Sequence, residues 1–96
     1  MKNWPVPKSD KEPSQRAAAL FKGVEQVIEN LYFRWLDERE YEDIKDYARA
    51  IIPIVNRYGC EFVRMSKKPF GFDFKADGRT YALRVGNKTY SYKRIA

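Results

Sequence analysis

Residues 70–92, FGFDFKADGRTYALRVGNKTYSY, decide the fold. Phe70, Phe72 and Phe74 alternate with Gly71, Asp73 and Lys75. Tyr81, Leu83 and Val85 then alternate with Thr80, Ala82 and Arg84, and Tyr90 and Tyr92 alternate with Thr89, Ser91 and Lys93. A period of two is the mark of a strand with one buried face. Asp77-Gly78 and Gly86-Asn87 separate the runs as two hairpin turns. The spacing predicts strands over about residues 70–76, 79–85 and 88–94. Upstream, Ser66-Lys67-Lys68-Pro69 reads as a turn, and Cys60 to Met65 as an earlier strand over about residues 60–65. Three or four strands in an antiparallel meander result.

Before Cys60 the period is helical. Leu20, Val24, Val27, Leu31 and Trp35, widened by Phe21 and Ile28, form one apolar stripe over about residues 14–36. Ser14 is its predicted N-cap. Gly23 weakens that helix by roughly 1 kcal/mol or marks a close contact. Tyr41, Ile44, Ala48, Ile51, Val55 and Tyr58 form a second stripe over about residues 40–58. The carboxylates of Asp37 to Asp43 suit its N-terminus, where the helix dipole favours negative charge. Pro53 is predicted to kink this helix without dividing it, and Gly59 to close it. Residues 1–13 hold Pro5, Pro7 and Pro13 and read as an extended arm with Trp4 as its one large apolar group. The expectation is one α+β domain over residues 14–96: two antiparallel helices packed on one face of a three- or four-stranded antiparallel β-meander.

Composition narrows the chemistry. The 96 residues suffice for a single modest core, and 16% aromatic content strengthens it. The chain contains no histidine, which removes imidazole acid–base chemistry, His-based triads and histidine-bound zinc. The lone Cys60 forms no internal disulfide, has no histidine base and reads as a buried thiol. No apolar run reaches the ~20 residues that cross a bilayer. The first residues lack the apolar segment of a signal peptide, so a cytoplasmic location is expected.

Charge is distributed unevenly. Residues 57–96 carry ten basic and three acidic side chains, against nine and ten in residues 1–56, for a net charge of +6. Strand parity sends Phe72, Phe74, Tyr81, Leu83, Val85, Tyr90 and Tyr92 to one face. Asp73, Lys75, Thr80, Ala82, Arg84, Thr89, Ser91 and Lys93 go to the other, as a polar and mostly positive surface in water. On it Lys75, Arg84 and Lys93 form a stripe across three strands, with Lys67, Lys68, Lys88 and Arg94 at its margins. These seven residues are the candidate nucleic-acid-binding set, because clustered cations attract phosphates. The same pattern also fits a solvated face whose lysines guard the strands against edge pairing. With the sheet rings on the inner parity, contact through the nucleic-acid backbone is favoured over base stacking. Phe70, Trp4 and Tyr58 are the candidates for a single exposed ring.

Other constellations carry less. Glu42 and Asp46 share a helix face, but a metal-dependent nuclease would need a converging carboxylate from the sheet, for which Asp73 and Asp77 are the candidates and Asp77 is needed for its turn. No metal site and no cofactor are predicted. Tyr81-Ala82-Leu83-Arg84-Val85-Gly86 resembles a strand end of ribosome-dependent ribonuclease toxins. That likeness spans six residues, and the family's opening strand has no counterpart in the proline-rich arm, so no activity is carried over. The expected function is that of a small non-enzymatic regulator binding nucleic acid or a nucleoprotein complex through the basic sheet face. The alternative is a protein-binding inhibitor or adaptor acting on a host protein complex, of the kind phages and mobile elements deploy. No membrane partner is expected.

Overall fold

The computed structural model describes residues 14–38, 43–86 and 89–96. The expected arm over residues 1–13, with Trp4, lies outside them, as do Tyr41, Glu42 and Lys88. Two helices, α1 (Gln15–Glu38) and α2 (Ile44–Arg57), precede four strands: β1 (Glu61–Lys67), β2 (Phe70–Ala76), β3 (Arg79–Gly86) and β4 (Thr89–Arg94). The strands form one antiparallel sheet in the order β1-β2-β3-β4. The α+β architecture is as the sequence periods predict, with four strands.

Local chemistry sets the helix ends. Ser14 caps α1, its hydroxyl accepting from Ala17 N–H at 3.1 Å. The second helix starts later than its apolar period suggests. Asp43 sits in extended backbone and its carboxylate accepts from Lys45 N–H at 3.0 Å, so Asp43 is the N-cap and Ile44 the first helical residue. Pro53 lies inside α2, which continues through it as one helix. At the far end Gly59 N–H bonds the Asn56 carbonyl and Cys60 N–H the Val55 carbonyl, the paired bonds of a Schellman stop, with Gly59 at φ +74°.

Side-chain contacts order the helices. Trp35, late in α1, meets Tyr47, early in α2. Gly23, in the first half of α1, abuts the Tyr58 ring just past α2. The two helices therefore run antiparallel. Phe21 packs against Phe74, Tyr81 and Tyr92, while Tyr32, Trp35 and Tyr47 pack around Phe70. All these strand residues share one parity. Leu20, Val24, Ile28, Ile51, Val55, Phe72, Phe74, Tyr81 and Leu83 are fully buried in the core between them. Phe70 belongs to this core and is not an exposed ring, and Tyr58 is half-buried against it.

Register breaks once. On β1 Phe62 pairs with Phe74, but Arg64, two residues on, pairs with Asp73, one residue on. Val63 is the extra residue of a β-bulge, and it reverses the parity of the rest of β1. Met65 thereby turns to the core, and Arg64 to the open face.

Candidate functional site

The open face of the sheet is ordered in cross-strand rows. One row reads Arg64, Asp73, Ala82, Lys93 from β1 to β4. The next reads Ser66, Gly71, Arg84, Ser91, and on the other side Glu61, Lys75 and Thr80 stand in line. Lys75, Arg84 and Lys93 thus share the face that parity assigned them, each in a different row. The other candidates stand elsewhere. Lys67 pairs with Phe70 and Arg94 with Tyr81, so both follow the parity of the core, at opposite ends of the sheet. Lys68 is exposed in the turn after β1, beside the cis-bonded Pro69.

The face is not simply solvated. Asp73, expected in water, is buried to 1% exposure. Its Oδ2 accepts from Arg64 Nε at 3.0 Å, and its Oδ1 lies 2.8 Å from Arg84 Nη2, an ion-pair contact off the line of a hydrogen bond. Arg84 is anchored further, because Nη1 donates to the Phe72 carbonyl at 3.1 Å and to the Leu83 carbonyl at 3.0 Å. A carboxylate between two guanidinium groups keeps its charge compensated, which burial of an ion demands. Gly71 permits this arrangement: a Cβ there would collide with the Leu83 carbonyl oxygen, one of the two acceptors that hold Arg84.

These contacts divide the cations of the face into held and exposed ones. Arg84 is committed to Asp73 and to the sheet backbone, so it is an internal support rather than a free cation. Arg64, absent from the predicted set, stands on the same face: its side chain is 70% exposed and, among the described residues, it bonds only Asp73, through Nε. Simple alternation puts Arg64 on the parity of Phe62, facing the core, and no residue type at Val63 announces the bulge that reverses it. Arg64, Asp73, Ala82, Arg84, Ser91 and Lys93 line a concave depression of about 460 Å³ on this face.

Two carboxylates at the sheet are held by arginines. Asp73 is held by two arginines, and Asp77 pairs with Arg16 at 3.3 Å. Cys60 is buried, and desolvation, followed by the nearby Asp77 charge, raises its thiol above its ordinary value, leaving it less nucleophilic. A second groove of about 280 Å³ lies at the end of α1, lined by Tyr32, Trp35, Leu36, Lys67, Pro69 and Phe70. No helix of the described residues is long and apolar enough to cross a membrane. In comparisons with protein-family models, curated proteins and solved structures, nothing matches this chain.

Proposed function

We propose that this protein is a non-enzymatic regulator, acting in the cytoplasm, that binds nucleic acid or a nucleoprotein complex through the open face of its sheet. One observation carries the reading: Arg64, Lys75 and Lys93 share the face opposite the core rings, and among the described residues none of the three has a competing partner there beyond the Arg64 bond to Asp73. Asp73 is already compensated by Arg84, so the depression between Arg64 and Lys93 keeps an excess of positive charge. The mechanism is occupancy. The cations neutralise phosphates, and the bound domain blocks or positions another macromolecule.

Fluorescence anisotropy with a labelled DNA duplex and with a single-stranded RNA tests it. Affinity should drop severalfold or more between ~50 and ~200 mM salt if several phosphates are contacted. Replacing Arg64, Lys75 and Lys93 together with Glu should abolish binding while the helical circular-dichroism signal persists. Arg84 is left out of that set because a glutamate there would face Asp73 and damage the fold. Unchanged binding by the triple variant rejects the sheet as the site.

A specific observation favours a second reading, a protein-binding adaptor. Phe33 and Leu36 are exposed at 44% and 42% near the end of α1, and Leu36 borders the aromatic groove. Exposed apolar groups that adjoin a groove suit a protein surface. An adaptor would retain a protein on a pulldown, lose it on Leu36→Glu substitution, and shift no bare oligonucleotide.

A further inference from the structure

We propose that Asp73 is a positioning residue that sets Arg64 as a phosphate-binding fork, with Lys93 facing it across the depression and Arg84 making no ligand contact. This inference rests on the nucleic-acid reading above and names how a phosphate is held there.

A chain of contacts leads outward from the backbone. The Phe72 and Leu83 carbonyls hold Arg84 Nη1, Arg84 Nη2 holds Asp73 Oδ1, and Asp73 Oδ2 holds Arg64 Nε. Asp73 is 1% exposed and Arg84 24%, so the acceptor that steers Arg64 is itself held in a mostly buried place. An exposed arginine ordinarily gives up rotamer freedom on binding. Here much of that ordering is complete before a ligand arrives. Engagement at Nε leaves the two Nη groups as the outward pair of donors, the geometry that takes two oxygens of one phosphate.

The surroundings suit a single phosphate group. Ala82 stands between Asp73 and Lys93 in the row, and its methyl group leaves the floor low. Strands spaced ~4.8 Å apart put the backbones of Arg64 and Lys93 roughly 14 Å apart, a gap that two long side chains narrow to the width of one ligand group. Ser91 adds a hydroxyl to the lining. The Asp73 charge does not repel the ligand, because Arg84 compensates it from the other side.

The test holds charge constant and removes geometry. Arg64→Lys keeps the cation but loses both the Nε bond and the fork. Its affinity for the labelled duplex or single-stranded RNA should fall roughly three- to tenfold, the scale of one charge-assisted hydrogen bond at an exposed site. Its salt slope should stay that of wild type, because the number of neutralised phosphates is the same. Lys93→Arg should bind as wild type. Asp73→Asn makes the protein more positive, yet it should bind more weakly because Arg64 loses its anchor. If Asp73→Asn does not fold, Arg64→Lys decides. Wild-type affinity in Arg64→Lys, or tighter binding by a folded Asp73→Asn, overturns the fork while leaving the nucleic-acid reading standing. Failure of the wild-type protein to bind either oligonucleotide overturns the reading itself.

Discussion

Tyr90 Oη donates a hydrogen bond to the Phe21 carbonyl at 3.0 Å, joining the last strand to α1 inside the core. The two residues are 69 positions apart in the chain. Burial, with Glu25 and Tyr92 nearby, raises the Tyr90 hydroxyl well above its ordinary value of 10.0. In the unfolded chain the same hydroxyl ionises near pH 10. The unfolded state therefore releases a proton that the native state keeps, and stability falls as pH rises above about 10. Below that pH the contribution is fully present. Urea midpoints measured from neutral pH upward should decline in that range. Tyr90→Phe should start about 1 kcal/mol lower at neutral pH and show a flatter alkaline decline.

Arg64 and Arg84 bind the same carboxylate and should differ in their importance for stability. Arg84→Met strips a buried charge of its anchored partner and should cost roughly 3 kcal/mol, the low end for breaking a buried pair. Arg64→Met removes a largely exposed side chain and should cost under about 1 kcal/mol. Chemical denaturation of the two variants checks the ranking, and equal losses would refute the anchoring role given to Arg84.

Gly71→Ala should be far more damaging than a strand glycine usually is. Its new methyl group meets a backbone carbonyl, Leu83 O, which cannot withdraw without opening the β2–β3 ladder. The loss should reach about 3 kcal/mol, the upper part of the overpacking range. For a domain of this size that is a fall of roughly 12 °C or more in melting temperature. A melting temperature within a few degrees of wild type would contradict the close approach.

Gly23 presents the opposite case to ordinary helix propensity. Alanine there would gain about 1 kcal/mol in an isolated helix. In this fold the new Cβ meets the Tyr58 ring, so Gly23→Ala should destabilise the wild-type protein. In a Tyr58→Ala background the same change should become stabilising. A double-mutant cycle read from urea midpoints reports the coupling. Additive effects would show that the ring moves aside freely.

Most of the architecture is readable along the chain because it depends on periods and punctuation. Residues 70–76 form the strand where alternation puts it, and Asp77-Gly78 turns the chain with both residues at positive φ. Ser14 caps α1 as its side chain predicts. The start of α2 was less legible, because several carboxylates precede it and only backbone geometry selects Asp43. Tyr47, 2% exposed, completes the buried face of α2, although the apolar offsets pass over it.

The candidate site was legible only in part. Lys75, Arg84 and Lys93 share a face because side chains alternate strictly along unbroken strands. Arg64 joins them through a bulge at Val63, whose one trace in the sequence is a charged residue on the core parity of Phe62 and an apolar Met65 one place off it. The burial of Asp73 likewise depends on what lies across from it. The chain order separates Asp73 from Arg64 by nine residues and from Arg84 by eleven, and only strand register sets both guanidinium groups on one carboxylate. Alternation, caps and turns are properties of neighbouring residues, and the sequence alone was enough to settle the elements, their order and the parity of the regular strands. Which cations remain available to a ligand, and which are spent holding a buried charge, is a property of residues distant in the chain, and that was decided when the sheet closed its rows.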